Sequence, residues 1–174
     1  ETNMSLGQSS TAIKRSVFLQ SRIDESGIIS HKLLIDFTAL ENLTGKYRNR
    51  FKIYLPSSTR LIKTTWGESL IKSMNPFSDY GRVGYSWLLE LNPGEQKQLS
   101  LEYQDTAPVK FKDDKLIYTL DVIKQPSQEP LPFEFKLTFL PELKIETNLP
   151  SSLGEVTAKT DLSQDRSFKI ILKQ

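Results

Sequence analysis

Cysteine is absent from the 174 residues of this chain, and histidine occurs only once, at His31. The lack of cysteine excludes disulfide bridges, thiolate nucleophiles and zinc sites built on cysteine. It does not assign a compartment, because many exported bacterial domains also lack cysteine. A single imidazole is too few for a histidine-based metal site. We therefore predict neither a metal nor a cofactor.

Long hydrophobic runs and charge of one sign are also missing. No apolar stretch approaches the roughly 18 residues that span a bilayer, so we expect no membrane insertion by this fragment itself. The net charge is only +2, with acids and bases interleaved, which argues against nucleic-acid binding. There is no signal peptide, and the chain starts at Glu1 rather than Met, so we expect it to be part of a longer protein.

Apolar and polar residues alternate along most of the chain, which is typical of half-buried β-strands. Residues 13–23 and 28–37 alternate on either side of a turn that contains Gly27, and they predict a hairpin. Residues 86–104 show the same pattern around Asn92-Pro93-Gly94-Glu95, where Pro93 and Gly94 favour a chain reversal. We predict that this second pair is a hairpin around which the chain is organised.

The remaining alternating stretches bring the total to about nine or ten strands, and the fold class is therefore all-β. We predict an immunoglobulin-like antiparallel β-sandwich, with a closed barrel as the competing architecture. Residues 115–124 are partly apolar on both faces, which indicates a central strand covered on both sides. Residues 68–81 are irregular, and the spacing of Leu70, Ile71, Met74 and Phe77 fits one short helical turn.

The chain divides into a lead-in and one main unit. Residues 1–11 are small and polar, as expected of a linker. Residues 12–174 carry the sandwich pattern. Within them, residues 142–174 either add strands to the same domain or form a small appendage.

Two sets of residues offer routes to hydrolysis, and neither is complete. A Ser-His-Asp triad would have to use His31, which lies on an apolar strand face, and no Gly-x-Ser-x-Gly elbow supplies the serine. Asp113 and Asp114 are adjacent, with lysines around them that favour the ionised forms and oppose general-acid catalysis. We interpret His31 as structural and the aspartates as a solvated turn. A hydrolase would need one of these sets to line a cleft.

Aromatic residues around the irregular stretch suggest a different function. Exposed rings serve carbohydrate-binding modules as flat platforms for sugars. Phe77 and Tyr80 lie among turn-forming residues, and Trp66 is ambiguous, so these three are the candidate ligand-binding residues. Trp87 lies on an apolar strand face and is expected in the core.

Four stretches of the chain share a pattern with known sequences. They are Asn3-Met4-Ser5-Leu6-Gly7 with Ala12-Ile13-Lys14-Arg15-Ser16, residues 47–56, residues 91–97 and residues 118–126. Together they resemble the C-terminal region of one bacterial family, the membrane-anchored envelope proteins of unknown function found in Gram-positive lineages and small-genome candidate phyla. The similarity covers residues 3 to 141. One departure is Ser127, where the family usually has glycine after Lys-Gln-Pro.

The resemblance implies a location outside the cytoplasmic membrane, at the cell surface, anchored through a membrane segment outside this fragment. It also implies a large preceding domain and provides no catalytic residues. We accordingly predict a non-catalytic extracellular β-sandwich module, structural or adhesive, that contacts a protein or a cell-wall glycan. The alternative is a carbohydrate-binding module that positions a neighbouring domain on cell-wall polymer.

Overall fold

The computed structural model describes residues 2–3, 12–71, 75–79, 81–124 and 130–174. These residues form fifteen β-strands and no α-helix. In chain order the strands are β1 (Thr2–Asn3), β2 (Ile13–Ile23), β3 (Ile29–Ala39), β4 (Tyr47–Pro56), β5 (Thr59–Trp66), β6 (Ser69–Leu70), β7 (Asn75–Asp79), β8 (Arg82–Leu91), β9 (Gln96–Asp105), β10 (Lys115–Val122), β11 (Pro132–Thr138), β12 (Lys144–Glu146), β13 (Ser151–Ser152), β14 (Glu155–Asp161) and β15 (Arg166–Lys173).

Hydrogen bonding arranges the described strands in three sheets. The long sheet has eight strands, in the order β13-β14-β11-β2-β3-β9-β5-β6. The β4 sheet has the order β1-β4-β8-β7, and the β15 sheet has the order β10-β15-β12. The all-β, sandwich-like class is confirmed. The strands outnumber the prediction partly because β1, β6 and β13 have only two residues, too few for alternation to reveal.

Both short sheets cover the same face of the long sheet. Leu19, Leu33 and Leu101 are direct cross-strand partners in β2, β3 and β9, so their side chains share one face. Leu101 belongs to a core cluster shared with the β4 sheet, and Leu19 belongs to a second cluster shared with the β15 sheet. Val17 and Leu33 pack against both clusters. The two cores therefore meet at the middle of β2 and β3.

The first predicted hairpin is confirmed. Strands β2 and β3 pair in antiparallel register from Ile13 opposite Ala39 to Ile23 opposite Ile29. In the turn, the Asp24 carboxylate accepts hydrogen bonds from the backbone N–H groups of Ser26 (2.9 Å) and Ile28 (3.0 Å). Local turn chemistry and the alternating pattern agree at this point, so the register is specified by the sequence.

The second predicted hairpin is wrong in its pairing. Strand β8 pairs with β4 and β7, whereas β9 pairs with β3 and β5, so the Asn92–Glu95 turn joins two different sheets. The turn itself forms as expected, with the Glu95 N–H donating to the Asn92 carbonyl over 3.0 Å and Gly94 at φ 72°. Alternation determines which face of a strand is buried, but it does not determine the neighbour to which the strand hydrogen-bonds.

Two further expectations are also wrong. Strand β10 lies at the edge of the β15 sheet, with Ile117 58% exposed, rather than at a centre covered on both sides. Phe77, which was assigned to a short helical turn, lies in strand β7 and pairs with Gly84. Met74 lies outside the described residues. Short apolar patterns of this kind fit either secondary structure, and the sheet contacts decide between them.

The last part of the chain contributes strands to two of the sheets. Strand β14 pairs with β11 in the long sheet, and β15 lies between β10 and β12. Val156, Ile170 and Leu172 have no exposed surface. Residues 142–174 thus contain β12, β13, β14 and β15. Strand β11 also pairs in parallel with β2, which departs from the all-antiparallel prediction.

Replacing Leu89 by Ala tests the assignment of the inner face. Leu89 is fully buried in β8, so we expect Leu89→Ala to lower the free energy of unfolding by about 2–5 kcal/mol. The adjacent Leu88 is 49% exposed, and Leu88→Ala should change it by no more than about 0.5 kcal/mol. Equilibrium unfolding in urea measures both, and equal effects would contradict the assigned faces.

Candidate functional site

A cleft lies where the two short sheets approach each other above the long sheet. Its floor includes Val17 and Leu33, the residues shared by both core clusters. One wall is β4 from Phe51 to Leu55, and the other runs from Leu120 to Lys124, at the end of β10. The cavity volume is about 370 Å³, within the range typical of ligand sites. We call this cavity the inter-sheet cleft.

Strand edges, rather than sheet faces, form the walls of the inter-sheet cleft. All five consecutive residues from Leu120 to Lys124 line it, as do the five of β4. Successive side chains of a strand point to opposite faces, so only an edge presents a whole run to one cavity. Among the described strands, β10 is the outermost of its sheet, and β4 pairs with β1 only at Asn49 and Arg50.

The charges at the inter-sheet cleft are mostly positive. The cationic side chains that line it are Arg15, Lys52, Arg82 and Lys124, and the carboxylate is that of Asp121. The floor is apolar apart from Arg15, which lies on the same face of β2 as Val17. An apolar floor beneath a basic rim favours ligands that combine apolar groups with negative charge.

A buried polar network lies beside this cleft, and we call it the His31 network. Ser21 Oγ is 2.9 Å from His31 Nδ1, and the Tyr118 hydroxyl donates to Ser21 Oγ over 3.1 Å. Asp105 Oδ1 lies 3.7 Å from His31 Nε2. The imidazole stacks on Tyr103, which also lines the inter-sheet cleft, with 4.6 Å between ring centroids. Ser21, His31 and Tyr103 are cross-strand partners, so the network lies on the same face of the long sheet as the cleft floor and next to it.

The protons of the His31 network can be placed from these contacts. Ser21 Oγ accepts from Tyr118, and it donates to His31 Nδ1 in the ring tautomer that leaves Nδ1 unprotonated. The neutral ring then carries its own proton on Nε2, toward Asp105. Burial lowers the pKa of His31 to about 4 and raises the pKa of Asp105 above its usual range. Burial also raises the pKa of Tyr118 to about 12.

Serine, histidine and aspartate thus meet in the fold, but their arrangement opposes nucleophilic catalysis. Ser21 has no exposed surface, so a substrate carbonyl has no path to its Oγ. Its oxygen already accepts a hydrogen bond from Tyr118. His31 contacts the cleft only through Tyr103. What the network does is satisfy buried polar groups at the junction of the sheets.

The aspartate pair, Asp113 and Asp114, belongs to a tight turn. Asp113 and Asp114 are exposed and form the tip of a two-residue turn between Lys112 and Lys115. Their φ angles are 51° and 57°. Aspartate tolerates this left-handed conformation, which explains its presence at a tight turn.

The structure separates the predicted aromatic residues. Phe77 and Gly84 are opposite each other on the outer face of the β4 sheet, and a Cβ at Gly84 would clash with the Phe77 ring. The Tyr54 ring lies 5.5 Å from that of Phe77, edge to face. Trp66 instead packs inward, with its ring 5.5 Å from Phe37 in the core. Tyr80 lies outside the described residues. Trp66 and Phe77 therefore form no common platform.

The residues of the inter-sheet cleft were missed by sequence reasoning. Lys52 and Asp121 read as ordinary outward charges on alternating strands. No local pattern indicates that β4 and β10 approach each other, because they belong to different sheets. The sequence likewise gives no indication that Ser21 belongs to a hydrogen-bonded network, because its partners His31 and Tyr118 come from other strands.

The described part of the chain contains neither a cluster of metal ligands nor a membrane-spanning helix. Across residues 2–3, 12–71, 75–79, 81–124 and 130–174, no three His, Asp or Glu side chains are placed to hold a metal ion. Those ranges also contain no helix with the length and apolar character needed to cross a bilayer.

Comparisons with known proteins bear on the fold. No protein-family model and no curated protein matches the sequence. The chain is similar to a candidate nutrient-binding protein from Legionella pneumophila, with a TM-score of 0.56, 10% identity, and coverage of 91% of this chain and 67% of that one. It is also similar to an M1 zinc metallopeptidase from Deinococcus radiodurans, with a TM-score of 0.50 and 12% identity.

The coverage and the sequence identity of these two alignments restrict the similarity to the fold. The second alignment covers 95% of this chain but only 43% of the peptidase, so the chain spans less than half of that enzyme. At identities of 10% and 12%, the similarity concerns the arrangement of strands alone. It agrees with an all-β, sandwich-like fold.

The His31 network predicts a pH dependence of stability. The pKa of the His31 imidazole is 6.5 in the unfolded chain and about 4 in the folded chain. Between these values the unfolded state binds more protons, so stability falls as the pH falls, by roughly 3 kcal/mol in all. His31→Gln should flatten this part of the curve of unfolding free energy against pH.

An NMR titration measures the pKa of His31 directly, because His31 is the one histidine of the chain. Its single imidazole NMR resonance should titrate near pH 4. Asp105 has a raised pKa and acts in the opposite direction, so the NMR titration reports His31 separately from it. A midpoint near 6.5 would contradict the buried, neutral state.

Proposed function

We propose that this chain is a non-catalytic β-sandwich module of a bacterial cell-envelope protein, and that it contacts a protein or glycan partner through the inter-sheet cleft. The observation that carries the proposal is the cleft itself, which combines an apolar floor, a basic rim and walls made of strand edges. Its role is structural or adhesive, and it holds the parent protein to a neighbouring component of the cell surface.

The non-catalytic part of the proposal is supported by the chemistry of the buried groups. The serine of the His31 network is inaccessible, and the ring is held neutral by burial. The basic side chains at the cleft suit binding better than hydrolysis, because they provide electrostatic attraction without a general base at hand. The envelope location is supported by the resemblance of residues 3 to 141 to the membrane-anchored family.

Charge reversal at the rim tests contact through the cleft. Arg82→Glu/Lys124→Glu places two acidic groups at the cleft, and Lys110→Glu/Lys112→Glu makes the same charge change in an exposed loop. Binding of the immobilised chain to purified cell wall and to purified envelope proteins is measured by surface plasmon resonance. We expect the rim variant to bind at least about tenfold more weakly, and the loop variant to bind as wild type does.

Two outcomes of that experiment would contradict the proposal. Equal losses in both variants would indicate that only net charge matters. Full binding by the rim variant would place the contact elsewhere on the surface.

A second candidate function is carbohydrate binding on the outer face of the β4 sheet. It is favoured by Tyr54, which is 41% exposed beside Phe77, and by Lys52, whose Nζ lies 5.6 Å from the centre of the Phe77 ring. Aromatic rings with adjacent polar groups suit the apolar faces and hydroxyls of sugars. In this case the module would position a neighbouring domain on cell-wall polymer.

Removing the ring of Phe77 tests this second function. Phe77→Ala should abolish saturable binding to purified cell-wall glycan, measured by co-sedimentation, because the ring contact is lost. Ile62→Ala removes an exposed apolar group from β5, in the long sheet, and should bind normally. Unchanged binding by Phe77→Ala would exclude this face as the glycan site.

A further inference from the structure

We propose that the inter-sheet cleft binds an acidic peptide in extended conformation, which adds as a strand to the edge of β10. This inference rests on the proposed contact function and specifies its partner class. The peptide alternates acidic and apolar residues. Its backbone pairs with β10, its apolar side chains face the floor, and its carboxylates face the basic rim.

The edge of β10 supplies the backbone partner. Strand β10 pairs with β15 along its whole length, from Lys115 opposite Lys173 to Val122 opposite Arg166, and it is the outermost described strand of its sheet. An outermost strand presents a row of backbone N–H and C=O groups, and such a row is a template for a further strand. The end of this edge, from Leu120 on, opens into the cleft.

The chain already shows strand addition at the opposite wall. Strand β1, of only two residues, pairs with β4 at Asn49 and Arg50, next to the part of β4 that lines the cleft. A short extended segment therefore fits against an edge at this seam between the sheets.

The floor selects apolar side chains at alternate positions. Val17, Leu33 and Ile35 are apolar and line the cleft from the long sheet. Residues one and three of an added strand point to the same face, so two apolar side chains reach this floor together. The remaining positions point outward, toward the cleft mouth.

The rim selects acidic side chains at those remaining positions. Arg82 comes from the β4 sheet and Lys124 follows β10, so a cation stands on each side of the mouth. Asp121 is the carboxylate among them. Positive charge in excess over an apolar floor complements a peptide that alternates glutamate with valine, and it repels one that alternates lysine with valine.

Labelled peptides of about eight residues, somewhat longer than a typical strand, test the inference by fluorescence anisotropy with the intact chain. A panel alternates Glu or Asp with Val, Ile or Leu. Matched peptides carry Lys in place of the acids, or N-methyl groups on alternate backbone nitrogens along either edge. We expect acidic peptides to bind, Lys peptides to bind at least about tenfold more weakly, and one N-methylated register to lose binding.

The protein variants locate the binding. Arg82→Glu/Lys124→Glu should weaken the acidic peptides, whereas Lys110→Glu/Lys112→Glu should not. Equal binding by both N-methylated registers would overturn strand addition. Equal binding by Lys peptides would overturn the charge selection.

Failure of this inference is distinguishable from failure of the proposed function. If no acidic peptide binds below about 1 mM, the peptide inference is wrong. If the rim variant still loses contact with an anionic cell-wall glycan, the cleft remains the contact site and its ligand is the glycan. If the rim variant keeps every contact, the proposed function fails as well.

Discussion

The antiparallel register between β2 and β3 is the constraint on which the rest of the structure depends. Each strand has 11 residues, about twice the usual strand length. The pair is therefore wide enough to carry two core clusters side by side, with Val17 and Leu33 in contact with both. A slip of one residue would turn every inward side chain to solvent, and neither short sheet could then be covered.

A junction between the β4 sheet and the β15 sheet, which we call the seam, is the direct consequence of this arrangement. Two separate sheets stacked on one face must meet along their edges, and the inter-sheet cleft lies at that meeting. Close packing is satisfied within each core, but the junction holds the polar His31 network at one place and an open cavity at another. Tyr103 belongs to both, since it stacks on His31 and lines the cleft. The cleft and the hydrogen-bonded network are therefore neighbours on one face of the long sheet.

Charge at the seam has two physical effects. Exposed strand edges favour pairing between molecules, and cationic side chains beside them oppose the approach of a second copy of the same chain. The same cations attract a partner of opposite charge. Arg82 and Lys124 therefore oppose self-association at these edges and favour an acidic ligand. The carbohydrate alternative uses the outer face of the β4 sheet around Phe77. Two residues, Lys52 and Tyr54, belong both to that face and to the lining of the cleft.

The sequence by itself determined the all-β class, the β2–β3 hairpin and the inward faces of Leu89, Leu99 and Leu101, because the direction of side chains along a strand is local and has a period of two. The tertiary structure alone decided that β8 and β9 join different sheets, that β10 is an edge, and that Trp66 and Phe77 point apart. It also brought Ser21 and Tyr118 to His31 and placed β4 opposite β10. Strand pairing and sheet stacking depend on which distant surfaces bury each other best, and no local pattern carries that information.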